Sequence, residues 1–140
     1  MIHQKDLRIG DLIKTTTRNP ILEKGSICKV VVIDAVLNLI LVQKSDVDVR
    51  RCLVKEEIEG ISLTPEILEK NGWKKKQEGW YIKTIDKYDY LSAEFGYKDG
   101  IRVFLKRFVN GHYAKLNTAN NVHELQHILW ALGEDANLKI

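Results

Sequence analysis

Residues 90–109 read YLSAEFGYKDGIRVFLKRFV, and apolar and polar side chains alternate on both sides of a short central turn. The turn is Tyr97-Lys98-Asp99-Gly100, a composition typical of a tight connection. Period-two alternation indicates strands with one apolar and one polar face. We therefore predict two antiparallel strands here. If the alternation is unbroken, Arg102 and Lys106 share one strand face and Arg107 points the other way.

Further strands are predicted on both sides of this pair. Residues 72–84, GWKKKQEGWYIKT, indicate a hairpin that turns near Gln77-Glu78-Gly79. Residues 112–117, HYAKLN, follow Asn110-Gly111, the strongest short hairpin signal in the chain.

Two helices frame these strands. The first is predicted over about 64–71, with Thr64 as N-cap, Pro65 at the first helical position and Asn71-Gly72 as the exit. The second is predicted over about 121–133, from Asn121 to Gly133. Residues 61–140 are therefore predicted to form an α+β subdomain.

The first sixty residues indicate β structure. SICKVVVIDA at 26–35 and LNLILVQK at 37–44 are short, β-branched or aliphatic runs typical of neighbouring core strands. We predict a β-rich, barrel-like subdomain over 1–60, although other small β meanders fit equally well. The predicted class is α+β: a small N-terminal SH3-like or partly open β-barrel, followed by an antiparallel sheet with two helices.

Composition excludes few functions. The formal net charge is +3 and is spread evenly, which permits contact with nucleic acid without arguing for it. Cys28 and Cys52 are interpreted as buried small hydrophobes in a reducing compartment, with one disulfide as the alternative. The longest apolar run, AVLNLILV at 35–42, is far short of the ~20 residues of a membrane span. We expect a cytoplasmic location and no membrane contact.

One motif suggests an enzyme. His123-Glu124-Leu125-Gln126-His127 matches H-E-x-x-H, in which two histidines one turn apart bind zinc and the glutamate activates water. No third ligand is indicated by the spacing, and Glu124 lies at the third helical position after Asn121, as in a capping box. We therefore predict no metal, no cofactor and no catalysis. If this is wrong, His123 and His127 are the metal ligands.

The same helix also offers a candidate contact surface. Projection at ~100° per residue gathers apolar residues on one side and His123, His127 and Trp130 on the other. An exposed tryptophan beside two imidazoles suits a protein partner. The alternative is that the N-terminal half covers this strip.

A second candidate surface is the basic, aromatic hairpin. Its nucleic-acid candidates are Trp73, Lys74, Lys75, Lys76, Trp80 and Lys83. Aromatic rings stack on bases and lysines follow phosphates. The favoured alternative is that one face, Trp73 with Tyr81 or Trp80 with Ile82, packs on a helix while the lysines are solvated.

Three stretches carry a family resemblance: LRIGDLIK at 7–14, EGISLTPEILEKNGW at 59–73 and NVHELQHILWALGED at 121–135. Together they resemble small uncharacterised proteins of Bacteroides-type genomes, many of them phage- or prophage-borne. Relatives tend to have Val-His-x-Leu-Gln-Asn in the last stretch, so the resemblance implies that His127 is peculiar to this sequence. It implies no activity, cofactor or substrate.

The expected function is a non-enzymatic accessory or protein-binding module of a phage or mobile element, with an unidentified protein partner. The alternatives are a nucleic-acid-binding accessory protein that uses the basic hairpin, and a zinc-dependent hydrolase that uses the HELQH segment.

Overall fold

The computed structural model describes residues 2–16, 22–44 and 49–140. The chain divides into two compact units, Met1–Ile61 and Ser62–Ile140, and the boundary lies one residue after Gly60. Each unit contains one antiparallel five-stranded sheet, and the second also contains two α-helices. The predicted α+β class is confirmed.

The first unit is a β meander with a short crossover. Its strands are β1 Leu12–Thr15, β2 Ile27–Asp34, β3 Leu39–Lys44, β4 Arg50–Leu53 and β5 Ile58–Gly60. Short 3-10 turns occupy Gln4–Asp6 and Lys55–Glu57. The strand order is β4-β3-β2-β1-β5, and the sheet is not a closed barrel. The SH3-like description stays a prediction.

The side chains that point inward from alternate positions of β2 and β3 form the interior of this unit. Val30 of β2 and Val42 of β3 are directly paired, and both are fully buried. Cys28 is buried as predicted, but the same prediction is wrong for Cys52, which is exposed. In β4, Leu53 takes the inward position, so its neighbour Cys52 points to the other side of this edge strand. No disulfide joins Cys28 to Cys52.

The second unit contains all the remaining elements. They are α1 Pro65–Lys70, β6 Lys74–Gln77, β7 Trp80–Thr84, β8 Asp89–Tyr97, β9 Gly100–Arg107, β10 Tyr113–Thr118 and α2 Val122–Ala131. The sheet order is β10-β9-β8-β7-β6, so every strand pairs with its sequence neighbour. The predicted hairpins are confirmed. In the part of the chain that is described, no helix is long and apolar enough to cross a membrane.

The helix starts follow the predicted capping chemistry. Thr64 Oγ1 accepts the N–H of Ile67 at 3.4 Å at the start of α1. At the start of α2, Glu124 Oε2 accepts the N–H groups of Asn120 and Asn121 at 2.6 and 3.3 Å. The Thr64 bond satisfies a backbone donor that α1 leaves open in its first turn, and the Glu124 bonds hold the two residues that precede α2.

The sheet of the second unit has two different faces. On one face Leu91 and Ala93 of β8 and Ile101 and Val103 of β9 are buried. The other face, here called the open face, is formed by the side chains between them. Its members share register positions across the five strands: Lys74, Ile82, Ser92, Phe104 and Lys115 in one row, and Trp80, Glu94 and Arg102 in the next, with Tyr90, Lys106 and Tyr113 in a third.

The C-terminal segment is fixed to both helices. Asn71, which follows α1, donates through Nδ2 to Ile67 O at 2.7 Å and to Lys139 O at 2.8 Å. Its Oδ1 accepts the N–H of Lys139 at 2.8 Å. From α2, Gln126 Nε2 donates to Ala136 O at 3.0 Å in a buried position.

We predict that Asn71→Ala lowers the free energy of unfolding by about 1–3 kcal/mol, because two hydrogen bonds to Lys139 and one to Ile67 are lost together. Urea unfolding followed by tryptophan fluorescence measures the change. Asn117→Ala is the control, because Asn117 is exposed and its amide oxygen accepts a local N–H, that of Thr118 at 3.2 Å, whereas Asn71 is half-buried. Equal unfolding midpoints for the two variants would contradict the prediction.

Candidate binding site on the second sheet

A cleft of about 450 Å³ lies on the open face of the second unit. It is lined by Glu94, Tyr97, Arg102, Phe104, Lys106, Tyr113 and Lys115. Strands β8, β9 and β10 supply these residues, because paired positions on neighbouring strands project from the same side of a sheet. The volume falls within the range of ligand-binding clefts, roughly 300–1,000 Å³.

The carboxylate of Glu94 is held at the cleft by three donors. Lys106 Nζ lies 2.7 Å from Oε1, Ser92 Oγ donates to Oε1 at 3.2 Å, and Tyr97 OH donates to Oε2 at 3.2 Å. The side chains of Glu94 and Lys106 are only 21% and 19% exposed. Burial alone would raise the pKa of the Glu94 carboxyl, but the three hydrogen bonds and the Lys106 charge outweigh it and lower the pKa.

Trp80 extends this network onto β7. Its indole Nε1 donates to Ser92 Oγ at 2.7 Å, so the same serine hydroxyl joins Trp80 to Glu94. The ammonium of Lys106 lies 5.3 Å from the Trp80 ring centroid and 5.2 Å from that of Phe104. Cation–π attraction and the Glu94 ion pair therefore fix the position of this lysine.

Aromatic rings form the wall of the cleft. Phe104 and Tyr113 meet edge to face, with centroids 5.7 Å apart. Tyr113 is 69% exposed, and Tyr97 is also exposed. The Arg102 guanidinium lies 3.8 Å from the centroid of the Tyr97 ring. Flat surfaces are thus presented to solvent beside positive charges.

Charge on the open face is positive. Lys74, Arg102, Lys106 and Lys115 lie on it, whereas Glu94 is its carboxylate. Asp99, in the turn between β8 and β9, adds a second carboxylate at the edge of the cleft. A surface that combines aromatic faces with an excess of cations can bind a flat, anionic ligand.

The predicted nucleic-acid residues of the hairpin differ in exposure and do not form one surface. Trp73 is 2% exposed, so the expectation that its ring stacks on a base is wrong. Tyr81 is buried with it, in agreement with the alternative that the Trp73 and Tyr81 face belongs to the interior. Trp73 lies in the connection from α1 to β6, and its backbone N–H donates to Leu68 O of α1 at 3.1 Å.

The hairpin lysines have different environments. Lys74, Lys75 and Lys76 are exposed on β6, an edge strand. Lys75 Nζ pairs with Glu78 Oε2 at 2.7 Å, and Lys83 Nζ donates to Asn71 O at 3.0 Å. Exposed lysines on an edge strand also discourage pairing with another chain. Of the predicted set, Lys74 and Trp80 lie on the open face.

The predicted strip on α2 is only partly a surface. His123 is 4% exposed, so the expectation that it projects away from the interior is wrong. Gln126, one turn further along, is also buried and bonds to Ala136 O. The C-terminal segment therefore lies against this side of α2. A helical projection considers the residues of one helix only, so it cannot predict that a later segment covers one side of that helix.

His127 and Trp130 remain half-buried. Their rings are stacked, with centroids 5.7 Å apart and an interplanar angle of 21°. The His123 ring meets His127 edge to face at 5.8 Å. The three side chains are thus close together, as the sequence predicts, but His123 is buried whereas His127 and Trp130 are partly exposed.

The H-E-x-x-H segment has a structural role at Glu124. Its Oε2 accepts two backbone N–H groups, and its Oε1 accepts Asn121 Nδ2 at 3.4 Å. The predicted bond from the Asn121 N–H back to the Glu124 carboxylate is confirmed. Across residues 2–16, 22–44 and 49–140, no group of three His, Cys, Asp or Glu side chains could hold a metal ion.

Sequence reasoning missed most of the cleft. It placed Arg102 and Lys106 on one strand face, which the register confirms, but did not nominate Glu94, Tyr97, Phe104 or Tyr113. The alternation could have identified two of these residues. Phe104 shares the strand face of Arg102 and Lys106, because side chains two apart point to the same side, and Glu94 lies on the preceding strand, before the turn.

Comparison with family models, with curated proteins and with solved structures gives no match.

We predict that Glu94→Gln lowers the free energy of unfolding at neutral pH by about 1–2 kcal/mol, because a charged hydrogen-bond acceptor is lost. The folded-state pKa of Glu94 lies below its unfolded value. Its contribution is therefore fully present above about pH 4.5 and is lost as pH falls through the folded pKa. Urea unfolding from neutral pH to about pH 3 should show a weaker pH dependence in the variant.

Glu78→Gln is the control at neutral pH. Its pair with Lys75 is exposed, with Glu78 itself 93% exposed, so its loss should change stability less than the loss of Glu94 does. Parallel stability curves for wild type and Glu94→Gln across the acid range would contradict the assignment.

Proposed function

We propose that this protein is a non-enzymatic accessory module of a phage or mobile element, and that its second unit binds single-stranded nucleic acid on the open face. The observation that carries the proposal is the cleft in which Phe104 and Tyr113 stand among Arg102, Lys106 and Lys115. The proposed binding surface differs from the hairpin suggested by the sequence. Two residues of that hairpin, Lys74 and Trp80, also lie on the open face.

Stacking supplies the affinity in this proposal. Every base has a flat π face, and stacking on an aromatic side chain contributes about 1–3 kcal/mol per base. Tyr113 is largely exposed and held edge to face by Phe104, so it offers its ring with little reorganisation. Unstacked bases can enter such a cleft, whereas the bases of a duplex are covered by their neighbours. Single strands are therefore the favoured form.

Phosphate attraction supplies the second part. The cations of the open face outnumber its carboxylate, and they lie on the same side of the sheet as the aromatic rings. Lysines and arginines that neutralise phosphates release counterions, so binding should weaken steeply with added salt. Glu94 stays ionised and offers a fixed acceptor to the N–H groups of a bound base.

The accessory role and the compartment extend the expectations from the sequence. Resemblance to phage- and prophage-borne proteins suggests the biological setting. The use of Glu124 as a helix cap supports a non-enzymatic role for the HELQH segment, because that carboxylate already binds backbone donors. The cytoplasmic location is the expectation from the sequence, in which Cys28 and Cys52 are interpreted as residues of a reducing compartment.

We predict that Tyr113→Ala weakens binding of a short fluorescein-labelled oligothymidylate by about 5- to 100-fold at low salt, because one stacking surface is lost. Fluorescence anisotropy measures the dissociation constant. Tyr88→Ala is the matched control, because Tyr88 is also exposed but does not line the cleft.

The control should bind as the wild type does. Wild-type protein that binds no single strand at low salt would overturn the proposed function. Equal losses in Tyr113→Ala and Tyr88→Ala would overturn its placement in the cleft.

A second candidate function is protein contact at His127 and Trp130. The stacked, half-buried pair favours it, because an aromatic group that is preordered at the surface loses little entropy when a partner covers it. With His123 buried, this surface is smaller than the sequence suggested.

We predict that Trp130→Ala abolishes such a contact and changes the free energy of unfolding by less than about 1 kcal/mol, as expected of a partly exposed residue. Pull-down with the tagged full chain, followed by urea unfolding of the same variant, measures both quantities. A large loss of stability would instead show that Trp130 belongs to the interior.

A further inference from the structure

Asp99 occupies a position between two cations of the cleft. Its Oδ1 lies 3.2 Å from Arg102 Nε on β9, and its Oδ2 lies 3.6 Å from Lys115 Nζ on β10. Each carboxylate oxygen therefore faces a cation from a different strand. Both cations also line the cleft, whereas Asp99 comes from the turn that joins β8 to β9.

The arrangement resembles an anion clamp that is already filled. Arginine and lysine side chains that converge on one site bind the oxygens of a phosphate as they bind those of a carboxylate. Asp99, Arg102 and Lys115 are all substantially exposed, at 45%, 34% and 48% of their side chains. Such exposed ion pairs contribute little to stability. Replacing the Asp99 carboxylate by another anion therefore costs little free energy.

The position of the aromatic rings selects the anion. Arg102 stacks on Tyr97 at 3.8 Å, and Lys115 is paired in register with Phe104, the ring that contacts Tyr113. An anion held between these cations therefore lies beside flat aromatic surfaces. A nucleotide supplies a negative charge for the two cations and a flat base for the aromatic rings, whereas an isolated carboxylate supplies only the charge.

We propose that Arg102 and Lys115 form a phosphodiester subsite that Asp99 occupies in the free chain, and that a bound single strand displaces this internal carboxylate. The inference rests on the proposed function and adds to it the backbone position of the ligand. It also assigns Asp99 a defined role: the carboxylate competes with the ligand and lowers its affinity.

Removal of the competing charge tests the subsite. In Asp99→Asn, Arg102 and Lys115 lose their internal counterion, so a labelled oligothymidylate should bind roughly 3- to 10-fold more tightly at low salt. The plot of log affinity against log salt should steepen by about 0.7, the value for one further phosphate neutralised on a single strand. Arg102→Gln should weaken binding and make the slope shallower.

Glu78→Gln is the matched control. It also removes one carboxylate and frees one lysine, Lys75, but in the β6–β7 turn and outside the cleft. Tighter binding and a steeper slope in Asp99→Asn alone support the subsite. Equal changes in Asp99→Asn and Glu78→Gln, with wild-type binding intact, would show an effect of net charge only and would overturn the subsite while the proposed function stands.

Two further outcomes are distinguishable. If wild-type protein and Asp99→Asn bind the oligothymidylate equally, with the same salt slope, the carboxylate does not compete and the subsite is overturned. If neither binds at low salt, the proposed function fails, and the subsite fails with it.

Discussion

Successive side chains of β8 and β9 project to opposite sides of the second sheet, and only one side is filled with apolar residues. Leu91, Ala93, Ile101 and Val103 are buried there. The residues between them must therefore lie on the open face, whatever their chemistry. This constraint gathers Glu94, Arg102, Phe104 and Lys106 on one surface although the β8–β9 turn separates them in sequence.

Burial of charge on this face depends on the Glu94 network. A carboxylate and an ammonium that are each about one-fifth exposed are stable only if they are paired and hydrogen-bonded. Ser92 and Tyr97 supply the remaining donors, and Trp80 fixes Ser92 from the next strand. The network thus holds the floor of the cleft, whereas the exposed pairs of Asp99 at its edge are free to exchange.

Local signals in the sequence predicted the elements well. Thr64 and Asn121 fixed the helix starts, and the turns at Gly79, Gly100 and Gly111 fixed the hairpins, since short-range capping and turn chemistry controls these features. Alternation also placed Arg102 and Lys106 on one face. These predictions depend on residues close together in the chain.

The remaining features depend on residues far apart. His123 is buried on the side of α2 against which the C-terminal segment lies, and Trp73 is buried in the connection between α1 and β6. Neither position follows from the periodicity of one helix or one hairpin. The cleft was missed for the same reason, because Tyr113 and Lys115 reach it only through the pairing of β10 with β9.

The three tryptophans report on three different parts of the second unit: Trp73 in the interior, Trp80 on the open face and Trp130 on α2. Their indole N–H resonances, followed by two-dimensional NMR during titration with oligothymidylate, test the central claim most directly. Binding on the open face predicts a progressive shift of the Trp80 resonance while those of Trp73 and Trp130 stay in place. A shift confined to Trp130, or no shift of Trp80 at saturating ligand, would contradict it.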